Sequence, residues 1–67
     1  MIKNKRKVLI VDGTVILNKS NISQVYQSVV DTKVVIHMNN ESNYYIDSAT
    51  EEEQQKVFEK LIRYLNH

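Results

Sequence analysis

The sequence predicts an α+β fold: a small antiparallel β-sheet of four to five strands packed against one C-terminal amphipathic helix. Two observations carry this prediction. Short β-prone runs separated by turn residues fill the first two thirds of the chain, and an apolar helical stripe behind a capping signal fills the rest. We expect a single domain over 1–67, with a flexible basic arm at 1–6, the β-sheet region at 7–47 and the helix at 50–66.

The first predicted element is a β-hairpin around the glycine of the chain. Residues 8–11 (Val-Leu-Ile-Val) form a continuous apolar run, a pattern typical of a strand buried on both faces. Asp12-Gly13 follows, and an Asp-Gly pair between two β-prone runs predicts a hairpin because a type I′ turn needs positive φ. We predict strands at 7–11 and 14–17.

Residues 18–31 fit two structures. Ile22, Val25, Tyr26, Val29 and Val30 follow the helix period, and a polar residue before them can cap a helix. The same residues are better strand formers than helix formers. A bulged strand from about Val25 to Val30, entered through a turn at 18–21, is the reading we favour.

The remaining chain predicts a second hairpin and then the helix. Strands are expected from Lys33 to Met38 and from Tyr44 to Asp47, around a polar loop at 39–43. Ser48 or Thr50 begins the helix, and Thr50-Glu-Glu-Glu has the form of a capping box. The apolar stripe of this helix contains Val57, Phe58, Leu61, Ile62 and Leu65.

Composition narrows the classes of function. A 67-residue chain has a small core, and such domains usually add disulfides, a metal or self-association. Cysteine is absent and the two histidines are too few for a structural zinc site, so we expect a homo-oligomer. The formal net charge of +1 predicts no strong electrostatic preference. Without cysteine or a long apolar run, we expect a cytoplasmic protein with no membrane partner.

Catalytic chemistry is not indicated. A single glycine excludes a P-loop, a dinucleotide fingerprint and a nucleophile elbow, and no cysteine means no thiol nucleophile. His37 and Asp47 are a conceivable base and acid, but such a pair is more often a surface hydrogen bond. Glu51–Glu53 are best explained as the dipole-favoured first turn of a helix. We therefore expect no enzyme, no cofactor and no metal site.

Two surfaces remain for a partner. If Val34 and Ile36 face the helix, Val35 and His37 face away, and either Tyr44 or Tyr45 joins them. This half-apolar outer face is either a docking surface, for self or for another protein, or an ordinary strand face. The second surface is basic and can neutralise phosphates, with exposed tyrosines stacking on unpaired bases; it consists of Lys3, Lys5, Arg6 and Lys7.

Two resemblances accompany these patterns. Asp-Gly-Thr-Val-Ile at 12–16, Asn-Ile at 21–22, Val-Val-Ile at 34–36 and the helix around 57–61 resemble small phage and mobile-element proteins of low-GC Gram-positive bacteria. Residues 35–48 with the following acidic helix are similar to part of a phage-encoded type II anti-CRISPR inhibitor. Those inhibitors present acidic surface to an RNA-guided nuclease, and here only Glu51–Glu53 are comparable.

The sequence therefore predicts a non-catalytic protein-interaction module that is homo-oligomeric. The resemblances imply a phage or mobile-element protein that modulates a host protein. The alternative is a nucleic-acid-binding protein that uses the basic N-terminal residues and exposed tyrosines.

Overall fold

The computed structural model describes residues 2–66, and Met1 and His67 lie outside the described residues. The elements in chain order are β1 (Ile2–Lys5), β2 (Val8–Val11), β3 (Val15–Asn18), a 3₁₀ turn (Lys19–Asn21), β4 (Ile22–Gln27), β5 (Val34–Met38), β6 (Asn43–Ile46) and α1 (Glu51–Leu65). The predicted α+β class is confirmed. In the part of the chain described here, no helix is long and apolar enough to cross a membrane.

The strands form two sheets, so the prediction of one sheet with four to five strands is wrong. Sheet A is the antiparallel meander β1-β2-β3, and sheet B is the antiparallel meander β4-β5-β6. The 3₁₀ turn Lys19–Asn21 lies between β3 and β4 and separates the two sheets. Because its backbone is helical, it interrupts the extended conformation that one continuous strand would require.

The predicted flexible arm at 1–6 is also wrong over its described part. Ile2–Lys5 is a strand whose Ile2 pairs with Val11 and is buried in the core. Lys3 and Lys5 point to solvent from the same strand. One inward apolar side chain and a full backbone ladder are sufficient to order a segment that is otherwise polar.

The first hairpin has the expected turn with a shifted second strand. Asp12 and Gly13 both have positive φ, as a type I′ turn requires, and the Thr14 amide donates to the Val11 carbonyl at 3.2 Å. The second strand then begins at Val15. Burial along β2 alternates: Leu9 and Val11 are buried, whereas Val8 and Ile10 are half-buried on the other face, so the prediction of burial on both faces is wrong.

The ambiguous segment contains a strand, as favoured, but its bounds differ. β4 runs from Ile22 to Gln27 and carries a register shift between Ile22 and Gln24, so the strand is irregular before Val25, where the predicted bulged strand had not yet begun. Val29 and Val30 lie beyond it, in the loop that connects β4 to β5.

The core lies between the inner faces of both sheets and the helix. Thr50 caps α1, since its hydroxyl oxygen accepts a hydrogen bond from the Glu53 amide at 3.1 Å. Helix α1 packs across β4 and β5. The buried cluster consists of Ile2, Leu9, Val11, Leu17, Val34, Ile36 and Leu61. The outer faces of both sheets therefore point away from the core.

Candidate functional site

The outer face of sheet B is built by strand alternation and register. Val35 of β5 lies opposite Tyr26 of β4 on one side and Tyr45 of β6 on the other. His37 is likewise flanked, by Gln24 and Asn43. Directly paired residues project to the same side of a sheet. We use the name "outer face of sheet B" for Gln24, Tyr26, Val35, His37, Asn43 and Tyr45.

The centre of this face is an aromatic–aliphatic–aromatic row. Tyr26 and Tyr45 are 43% and 53% exposed, whereas Val35 between them is only 4% exposed. Val35 is not part of the main core cluster. Val35 is therefore buried at the position between Tyr26 and Tyr45 in the register, and the exposed surface of the row is mainly tyrosine.

Hydrogen bonds order one side of the row. His37 Nδ1 lies 2.6 Å from Asn43 Oδ1, and Asn43 Nδ2 donates to the Tyr45 hydroxyl at 3.4 Å. Because an amide oxygen only accepts, His37 Nδ1 is the donor in this arrangement. The chain of polar contacts therefore runs from His37 through Asn43 to the hydroxyl end of Tyr45.

A charged cluster borders the tyrosine row at the other end of the strands. Lys33 Nζ lies 3.6 Å from Asp31 Oδ2 and 3.7 Å from Asp47 Oδ1. Asp47 thus pairs with Lys33, while His37 bonds to Asn43. The two groups considered as base and acid are held by different partners.

Three of the four predicted interface residues lie on the outer face of sheet B, and the fourth faces the core. Val35, His37 and Tyr45 lie on the outer face of sheet B, as the alternation implies. Of the two alternatives Tyr44 and Tyr45, Tyr45 joins this face, because Tyr44 packs against the core cluster. Tyr26 was not among the predicted residues, although it alternates with the inward-facing Val25 once residues 22–27 are read as a strand.

The predicted basic residues lie on the other sheet. Lys3 and Lys5 pair with Ile10 and Val8 and share the outer face of sheet A with them. Arg6 and Lys7 form the β1–β2 turn. The lysines and the tyrosines that were considered together as a nucleic-acid surface therefore belong to different sheets.

Comparison with known proteins adds no functional assignment. No protein-family model, no curated protein and no solved structure matches the chain. Among the described residues, no group of three or more acidic or histidine side chains is arranged to hold a metal ion.

Proposed function

We propose that this chain is a non-catalytic protein-interaction module that forms homo-oligomers and binds a partner protein through the outer face of sheet B. The row formed by Tyr26, Val35 and Tyr45 is the observation that supports this most directly. Tyrosine is enriched in interface cores, because it offers a large apolar ring, a hydrogen-bonding hydroxyl and few rotatable bonds.

The class of partner follows from the chemistry of the face and from the resemblance. A half-apolar face with hydroxyl and amide groups suits a protein surface that combines apolar contacts with hydrogen bonds. The resemblance to phage and mobile-element proteins supports a host protein as this partner. Self-association is supported by the small core and by the absence of cysteine.

Replacing Tyr26 and Tyr45 together by serine is expected to weaken partner binding at least about 100-fold, since truncating a central interface tyrosine typically costs about 2 kcal/mol. The protein would be affinity-purified from cells that express it, and co-purified proteins would be quantified by mass spectrometry. Ile16→Ser is the matched control, because Ile16 is an exposed apolar residue on sheet A. Far-UV circular dichroism verifies that each variant is folded.

The proposal predicts a protein that co-purifies with wild type and Ile16→Ser but not with the tyrosine variant. Recovery of the same proteins with all three would remove the outer face of sheet B as the binding surface. Tyr44 is left unchanged in this test, because its contact with the core would confuse a loss of binding with a loss of stability.

A second candidate function, nucleic-acid binding, is favoured by one observation. Arg6 and Lys7 line a shallow pocket together with Lys19, which the sequence did not indicate. Lys19 Nζ donates to the Tyr64 carbonyl at 3.0 Å, so its head group is held in place. Clustered cations of this kind can neutralise phosphates.

This second candidate predicts a steep salt dependence of binding to a fluorescent single-stranded oligonucleotide, measured by anisotropy. Changing Arg6, Lys7 and Lys19 to glutamine should reduce the slope of log affinity against log salt by about 2, at about 0.7 per lost phosphate contact. Deleting residues 1–6 is unsuitable, because it would remove β1. Equal, salt-independent affinities for wild type and the triple variant would eliminate nucleic-acid binding through this pocket.

A further inference from the structure

Basic and apolar side chains share the solvent-facing side of sheet A. The inward side chains of this sheet, such as Leu9 and Leu17, are buried in the core. The residues between them project outward, and directly paired residues project to the same side of a sheet. Two cross-strand rows result, which we call the outer face of sheet A: Lys3–Ile10–Ile16 and Lys5–Val8–Asn18. These six residues include two cations and no acid.

The cations of this face are free to act on a partner. Lys3 and Lys5 are exposed, and so are Arg6 and Lys7, which follow β1 in the β1–β2 turn. Between described residues, these four side chains form no ion pair. Four positive charges therefore lie along one edge strand and its end, without a carboxylate of the same chain to neutralise them.

The charge of the chain is divided between its two parts. Residues 1–20, which contain sheet A, include five basic residues and one acidic residue, a net charge of +4. Residues 21–67 include four basic residues and seven acidic residues, a net charge of −3. The formal net charge of +1 is the sum of the two and does not show this division. An anionic surface attracts the first part and repels the second, so it orients the molecule with sheet A toward it.

The apolar part of the outer face of sheet A is aliphatic and partly exposed. Ile16 is 67% exposed, and Val8 and Ile10 are half-buried. Residues 1–20 contain no aromatic residue. Unpaired nucleic-acid bases are held by stacking on aromatic rings, whereas aliphatic side chains gain free energy by leaving water. The face therefore fits a partner that offers negative charge directly above an apolar layer.

We infer that the outer face of sheet A binds the surface of a membrane that contains anionic phospholipids. The lipid phosphates neutralise the four cations, while Ile16 enters the boundary between headgroups and acyl chains. Lysine fits this depth, because its apolar stem lies along apolar surface while its ammonium group stays in the polar layer. A second copy of the same face is a poorer occupant, because it brings further unpaired cations against Lys3 and Lys5.

This contact is peripheral. The expectation of no membrane partner rested on the absence of a long apolar run, and a protein that binds at the lipid surface needs no such run. The inference also goes beyond the proposed function, which uses the outer face of the other sheet.

The test is co-sedimentation of the full chain with vesicles made of equal parts phosphatidylcholine and phosphatidylglycerol, and with vesicles of phosphatidylcholine alone. Wild type is expected to bind only the anionic vesicles, and added salt should release it because salt screens the attraction. Lys3→Gln with Lys5→Gln should lower the affinity about 30-fold, at about 5-fold for each cation near the surface. Ile16→Ser should lower it at least about 5-fold, because the aliphatic contact is lost.

Each of these variants has a matched control elsewhere in the chain. Lys56→Gln with Lys60→Gln removes the same charge from α1 and should change the affinity less than about 2-fold, since these lysines lie outside the binding face. Val30→Ser is the control for Ile16→Ser, because Val30 is an 87% exposed aliphatic residue in the loop between β4 and β5. Far-UV circular dichroism verifies that every variant is folded.

Three results would overturn the inference: no binding of wild type to anionic vesicles at low salt, equal binding to phosphatidylcholine alone, or equal losses in the two double lysine variants. A fluorescent single-stranded oligonucleotide serves as a second probe. If wild type bound it as well, and Ile16→Ser matched wild type with both probes, the face would be a general polyanion surface and the assignment to lipid would be wrong. The partner test on sheet B is independent of all these outcomes.

Discussion

Replacing Leu61 by alanine is expected to remove about 2–5 kcal/mol of the free energy of unfolding. Leu61 is fully buried and joins α1 to the cluster formed by both sheets. A domain of this length has a total stability of about 3–10 kcal/mol, so the loss is a large share of it. The lost methyl groups leave a cavity that sheets and helix cannot fill without moving together.

Urea unfolding followed by far-UV circular dichroism measures this effect, with all variants at one concentration because self-association stabilises the native state. Lys56→Ala is the control on the same helix. Lys56 is exposed and pairs with Glu52 at 3.9 Å, so its removal is expected to cost no more than about 0.5 kcal/mol. Equal midpoints for the two variants would show that α1 is not packed on the sheets as described.

Replacing Gln54 by alanine is expected to cost about 1–3 kcal/mol, the typical penalty for removing one partner of a buried hydrogen bond. Gln54 is buried, and its Nε2 lies within hydrogen-bonding distance of three carbonyl oxygens of the loop between β4 and β5. The expected effect is local as well as global. In the variant, the Ser28 amide, which donates to the Lys33 carbonyl across the loop, should exchange its hydrogen faster than it does in wild type. The increase in its exchange rate should be larger than the increase for the amides of β5.

Two further variants separate the loss of the hydrogen-bond donor from the loss of side-chain volume and from a surface substitution. Gln54→Glu keeps the shape but replaces the donor group with oxygen atoms that only accept, so it should destabilise the protein at least as much as Gln54→Ala. Gln55→Ala is the matched control, because Gln55 is the exposed neighbour and its hydrogen bonds to Gln27 and Glu59 are at the surface. If the Ser28 amide exchanged its hydrogen at the wild-type rate in Gln54→Ala, the loop would be ordered without this glutamine.

Gln54 also shows what sequence patterns can indicate. It precedes Val57, Phe58, Leu61 and Leu65 at helical spacing, so it occupies an apolar position of the stripe. A glutamine on a buried helix face needs hydrogen-bond partners. The pattern therefore indicates a buried amide, but its partners lie in a loop more than twenty residues away in sequence.

For the residues on the outer face of sheet B, too, the sequence pattern indicates some positions and strand pairing decides the others. Alternation along β5 correctly separates Val35 and His37 from Val34 and Ile36. Which tyrosine joins them depends on the register of β6, and only the pairing of Val35 with Tyr45 decides it. Tyr26 enters the face through the pairing of β4 with β5, which no local pattern specifies.

The sequence by itself determined the local elements: the positive-φ turn at Asp12-Gly13, the cap at Thr50, the helix behind it and the strand period of residues 34–38. These depend on neighbouring residues, whose dihedral preferences and hydrogen bonds act over a few positions. Only the tertiary structure decided that the strands divide into two sheets, that Ile2–Lys5 joins the first, and that the basic residues and the tyrosines lie on different sheets. Strand pairing joins distant segments, and its free energy comes from burying side chains that a local pattern does not bring together.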